Sequence, residues 1–238
     1  MNSKPHDPPH SSGHWAIIAT LLLLIAVNLS QLFRSTTTSW VVVTVNSGLL
    51  AFIARQSGLT LRQLGLGKDS VKSGLLWGAA CVALIASVLF IAYLVDPKLF
   101  LDTRYHNSLK QALYTAFIFI PLHTVLVEEF AFRGVLWASI ERWKGVLWAT
   151  LLSSFLFGLW HIVPSLNLGE SSSTASSIAG SGLAVTIVPI ITAVIATTVF
   201  GSIMCWLRRR SGSLIAPIMA HWAVNGVAVF LAYLAWVR

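Results

Sequence analysis

The amino-acid sequence predicts an all-α fold, a polytopic transmembrane bundle of about seven spans. Three observations carry that expectation. Of 238 residues, 56% are hydrophobic and only 10% are charged, and apolar runs approaching the roughly 20 residues needed to cross a bilayer recur along the whole chain. A soluble domain carries about a quarter charged residues, so the medium around most of this chain, with its mean hydropathy of +0.77, is lipid. A soluble enzyme is excluded on that ground.

The runs fall at 15–33, 40–54, 73–95, 112–140, 145–163, 183–207 and 213–237. The first is long for the apolar part of a signal peptide, follows a polar stretch and lacks a clear A-x-A site, so an uncleaved anchor is expected. Ahead of it, MNSKPHDPPHSSGH holds His6, His10 and His14 at a spacing that would align on a helix. Pro8 and Pro9 oppose a helix there, so residues 1–14 read as a disordered polar tail rather than a metal site. The second run is short and carries Thr44, Asn46 and Ser47, so it is the weakest of the seven candidate spans, with a tilted or re-entrant piece as the alternative. Residues 15–111 then form an amino-terminal transmembrane region and residues 112–238 a core that holds the chemistry. Pro121, Pro189 and Pro217 are places where a span can kink, Pro121 in the sense that turns Glu128 inward. Segment 164–182, with SSSTASSIAGSG and no basic residue, reads as flexible and non-cytoplasmic. Cys81 and Cys205 lie inside apolar runs, so no disulfide scaffold is expected.

The net charge of +8 would suggest nucleic acid in a soluble protein. Here the basic residues sit between apolar runs, so they read as orientation charge and no nucleic-acid partner is expected. With seven spans, the amino-terminal side holds Lys4, Arg55, Arg62, Lys68, Lys72, Arg142, Lys144, Arg208, Arg209 and Arg210, against Arg34, Lys98, Arg104, Lys110 and Arg238 on the other. The positive-inside rule places the amino terminus in the cytoplasm. Trp15, Trp40 and Trp236, at span ends, fit interfacial anchoring.

Ionisable groups within a span cost about 2.5–3.5 kcal/mol each on the lenient insertion scale, and in this chain they are few and concentrated. VEEFAFRG places Glu128, Glu129 and Arg133 in the fourth run, FGLWH places His161 in the fifth, and HWAVN places His221 and Asn225 in the seventh. Residues four apart share a helix face while neighbours diverge by about 100°. Glu129 therefore pairs with Arg133, and Glu128 is left free. The same rule aligns His221 with Asn225, and Phe157 with His161. At about 1.5 Å per residue, Glu128 lies about 18 Å and His221 about 12 Å from the cytoplasmic ends of their spans, but His161 lies about 24 Å away. His161 is thus the outlier in depth.

Two chemistries suit this set. A carboxylate in a low-dielectric site accepts a proton from water and passes it to a leaving amine. In that scheme His161 holds the water, and His221 and Asn225 donate to the developing oxyanion. Alternatively Glu128, His161 and His221 ligate a catalytic divalent metal such as zinc, although H-E-x-x-H is absent.

The three strings resemble the EExxxR, FxxxH and HxxxN signatures of the CPBP family of intramembrane proteases, which includes the CAAX prenyl endopeptidases and bacteriocin-immunity-like (Abi) proteins. The resemblance covers roughly residues 112–230, and RQLGLGK at 62–68 looks like the loop preceding the core in bacterial members. It implies a multi-pass protein of a bacterial cell membrane that hydrolyses a peptide bond in a membrane-associated polypeptide. Glu128 then matches the water-activating glutamate, Glu129 and Arg133 the supporting positions, His161 the water-holding histidine, and His221 and Asn225 the oxyanion or ligand pair. The family is often labelled metalloprotease, and a metal-free reading also exists. No prenyl-binding signature is evident. The other classes compatible with the residues are a non-proteolytic membrane binding or immunity protein and a proton-coupled transporter, the latter without any internal repeat in its favour.

Overall fold

In a computed structural model the chain is a bundle of helices, and the structure describes residues 12–33, 36–106, 108–179 and 182–238. Most of the expected tail, with His6 and His10, lies outside the described residues, as does Arg34. The long helices are α1 (Ser12–Ser30), α2 (Thr36–Gln56), α3 (Val71–Val95), α4 (Leu109–Lys144), α5 (Val146–Trp160), α6 (Ala184–Ser211) and α7 (Ile215–Val237). Among the described residues there is no strand, only an isolated bridge between Asp102 and Ser172.

These helices occupy the expected runs. Four described helices are long and apolar enough to cross, namely those at Lys68–Val95, Leu109–Lys144, Ala184–Ser211 and Ile215–Val237. A fifth counts if Val146–Trp160 and Val163–Ser171, which meet at a 40° bend, form one span. The first helix is apolar over His14–Ser30, and the second runs from Thr36 to Gln56.

Small residues set the closest approaches, as expected where lipid removes the hydrophobic drive between helices. A Cβ at Gly158 of α5 would run into the Thr198 hydroxyl and the Val194 carbonyl of α6, and one at Gly201 of α6 would stand 3.1 Å from Ser154 Cα. Gly74 and Gly78 of α3 meet Ser213 and Met219 beside and within α7 in the same way. The larger side chains fill a core of Phe132, Trp137, Ile140 and Phe157, to which α1 and α2 contribute Leu24, Leu50, Ile53 and Ala54. One core therefore joins the two regions expected at 15–111 and 112–238.

The basic end is tied shut. Arg142 donates to the carbonyls of Ser57 (2.6 Å) and Gly58 (3.0 Å), and Arg208 donates to the Gln63 carbonyl while lying 4.2 Å over the Trp137 ring. Gly212, at φ +69°, ends α6 in the left-handed conformation that glycine adopts freely.

At the opposite end, segment 164–182 is more ordered than its composition suggested. It contains two short helices, Leu168–Ser171 and Ser173–Ala179, and its hydroxyls bind the α3–α4 connection. Ser173 Oγ donates to Lys98 O (3.2 Å) and Thr174 Oγ1 to Leu99 O (3.2 Å), while Thr103 Oγ1 donates back to Ser171 O (3.3 Å). Small polar side chains that looked like linker chemistry instead satisfy loop carbonyls. Gly180 and Ser181 lie outside the described residues.

Gly158→Leu forces the tight α5–α6 contact apart, at a cost of about 1–3 kcal/mol or more. It should lower the thermal unfolding midpoint in detergent by several degrees. Gly48→Ala, where an added Cβ meets nothing within 4 Å, should leave the midpoint unchanged or slightly raised.

Candidate functional site

The site is built on irregular stretches of α4 and α7. Wide, π-type turns run over Thr115–Val125 and Phe130–Leu136 of α4 and over Ala223–Val227 of α7, a form of helix that recurs at functional positions. Leu126 N–H reaches back five residues to Pro121 O. Pro121 has no N–H to offer Ala116 O, five residues before it, and the indole of Trp222 donates to that carbonyl instead at 2.8 Å. In the second wide turn, Ser153 Oγ donates to Phe132 O at 2.8 Å. Side chains from neighbouring helices thus satisfy carbonyls along the irregular backbone.

Glu129 and Arg133 stand one turn apart and pair at 3.0 Å, both fully buried. The same Glu129 oxygen, Oε1, also takes His221 Nδ1 at 2.8 Å. Arg133 lies 3.9 Å over the face of Phe157, a desolvated cation–π contact, and Phe157 and Phe200 edge the His221 ring at 5.8 and 5.4 Å. A carboxylate, a guanidinium, an imidazole and two aromatic rings thus form one closed cluster behind the site.

Glu128 points elsewhere. Its Oε1 accepts from Trp160 Nε1 at 3.0 Å, and its buried Oε2 has no hydrogen-bond partner in the protein. Glu128, His161 and Asn225 all line one cavity of about 880 Å³, whose walls also include Trp160, Tyr105, Asn46 and Ser172. His161 caps α5, and its Nδ1 lies 2.8 Å from Phe157 O. A carbonyl only accepts, so Nδ1 carries the proton and a neutral ring keeps its lone pair on Nε2. The bend after Trp160 accounts for the depth of His161: α5 stops there rather than running on to 163, and the residue sits at a helix end facing the cavity.

Four of the expected residues are therefore in or next to the cavity wall, and the fifth and sixth are the ion pair behind it. His221 and Asn225, one turn apart on α7, have different surroundings. Asn225 reaches the cavity, whereas His221 is 2% exposed, bound to Glu129, with Nε2 3.9 Å from Glu128 Oε2. Among the described residues, no three of His, Cys, Asp and Glu are gathered to hold a metal ion. Glu129 holds Nδ1 of His221 and leaves Nε2 turned toward Glu128 Oε2 at 3.9 Å, the way a carboxylate orients a ligating histidine. The sequence reading passed over Trp160, although it lies inside FGLWH. A buried indole N–H needs an acceptor, and Glu128 supplies it.

Residues 110–227 match the family described as type II CAAX prenyl endopeptidase Rce1-like. Comparison with curated proteins and with solved structures finds no match. The chain belongs to the CPBP family of intramembrane proteases, as an integral membrane protein and CAAX-protease-like enzyme.

Arg133→Met leaves Glu129 buried without its guanidinium, at a cost of about 3–5 kcal/mol. The double variant Glu129→Leu with Arg133→Met should recover much of that loss, read by denaturant unfolding in mixed micelles. Equal stability of wild type and the single variant would show that the pair does not hold the site together.

Proposed function

We propose that the chain hydrolyses a peptide bond in a membrane-associated polypeptide by general-base activation of water at Glu128. The observation that carries this reading is a buried carboxylate with one oxygen unpartnered by protein, sharing a cavity with a histidine whose Nδ1 is committed to a backbone carbonyl. A water held between Glu128 Oε2 and His161 Nε2 gives its proton to the carboxylate, and its oxygen attacks the scissile carbonyl carbon. The carbonyl oxygen gains charge, and Asn225 offers N–H donors from the cavity wall. Glu128 then returns the proton to the departing nitrogen as the C–N bond breaks. The Glu129–Arg133 pair and His221 keep the first carboxylate from being neutralised by its own helix, and Trp160 fixes its other oxygen. No step requires a metal ion.

Charge distribution supports an orientation. Arg55, Arg142, Lys144 and the Arg208–Arg210 cluster lie at the end away from the cavity-lining loops, so the amino terminus is assigned to the cytoplasm and the cavity to the opposite side of a bacterial membrane.

Glu128→Gln should fold and melt like the wild type yet cleave about 10²–10⁴-fold more slowly. The assay uses purified chain in nanodiscs with a library of synthetic transmembrane peptides and product detection by mass spectrometry, with and without a chelator. Undiminished cleavage by Glu128→Gln would sink the assignment, and chelator-sensitive cleavage restored by zinc would replace its mechanism. In a background with Cys81 and Cys205 replaced by alanine, an impermeant maleimide should label Ser177→Cys on intact cells and Arg209→Cys only after permeabilisation. The reverse pattern would invert the orientation.

A further inference from the structure

Asn46 sits in α2, outside residues 110–227 that match the family. Its side chain is 1% exposed, and neither Nδ2 nor Oδ1 has a hydrogen-bond partner in the protein. Yet it lines the same cavity as Glu128, His161 and Asn225. Its neighbours on the helix differ: Thr44 Oγ1 donates to Trp40 O (2.9 Å) and Ser47 Oγ to Val43 O (2.8 Å), each satisfied by its own backbone. Asn28 of α1 likewise donates to Trp160 O at 2.8 Å. A buried carboxamide with both ends unpaired is costly in an apolar helix, and leucine would fit a lipid-embedded span without that cost.

We infer that Asn46 is a substrate-binding residue whose carboxamide pairs with the main chain of the polypeptide lying in the cavity. The inference rests on the reading of the cavity as the peptide-cleaving site. A segment must leave its helix before a peptide bond can be attacked, and its freed N–H and C=O then need partners where water is scarce. A carboxamide presents one acceptor and two donors, the complement of a peptide group. An acyl chain would leave both ends of Asn46 unanswered. α2 packs beside the Leu126–Glu129 turn of α4, so a strand held at Asn46 passes along the wall that carries Glu128. Two independent contacts then place the scissile bond, Asn46 on the strand and Asn225 on the developing oxyanion.

The test combines stability, kinetics and binding. Asn46→Leu should melt at the same temperature or higher, while KM for a peptide taken from the transmembrane library rises about tenfold or more and kcat moves by less than about threefold. A lower midpoint with unchanged KM would make Asn46 a structural residue and overturn the inference. In the binding arm, Glu128→Gln photo-crosslinks to the same library, and Glu128→Gln with Asn46→Leu should capture about tenfold less. If the wild type cleaves nothing but capture still depends on Asn46, the cleavage reading fails and this one stands. Capture equal with and without Asn46 would remove the inference and leave cleavage intact. If no peptide is captured by either chain, both readings fall.

Discussion

The buried pair of Glu129 and Arg133 is the contact on which the site depends. Two adjacent carboxylates in an apolar span repel one another and are costly together. Placing Arg133 four residues after Glu129 answers one of them on its own helix face and leaves the other turned toward the cavity. Neither the arginine nor its partner is stable alone at zero exposure. The guanidinium needs the Phe157 face below it, and Glu129 shares its oxygen with His221. The cluster therefore couples α4 to α7 through a single carboxylate oxygen and α4 to α5 through the Phe157 ring, and the spacing of Glu128 from His161 follows from how those three helices are held.

Holding them requires departures from regular geometry. Wide turns in α4 and α7 shift side chains around the helix relative to an unbroken 3.6-residue repeat, and the carbonyls along those turns are met by Trp222 and Ser153. The tight α5–α6 contact leaves room at Gly201 for nothing larger than hydrogen, since an added Cβ there would stand 3.1 Å from Ser154 Cα and 3.2 Å from Arg133 Nη2. Bulkier residues there would move Phe157 away from the guanidinium.

Much of this was legible in the sequence because it is local. The i,i+4 pairing of Glu129 with Arg133 and the separate heading of Glu128 follow from helix geometry alone, and the structure shows both. The partner of His221 was not legible: the spacing to Asn225 concerns one helix only, whereas Glu129 on another helix claims the ring. Trp160 was hidden because its acceptor is 32 positions away in sequence. Composition misled at segment 164–182, where serine and threonine satisfy carbonyls of the 98–103 connection instead of solvating a linker.

A cavity of about 880 Å³ and several unpaired buried polar atoms weaken one end of the bundle, since lost packing and unmet hydrogen bonds both destabilise. The other end offsets this. Arg142 and Arg208 grip the 57–63 loop, Trp137 lies under Arg208, and Gly65 meets the backbone of Leu214, whose N–H it binds at 2.8 Å. Tertiary hydrogen bonds are concentrated where the charge is, and unpaired polar atoms such as Asn46 and Glu128 Oε2 lie at the cavity. The basic end fixes the mutual positions of the helices, and the cavity opens among them at the other end, beside the Glu129–Arg133 contact.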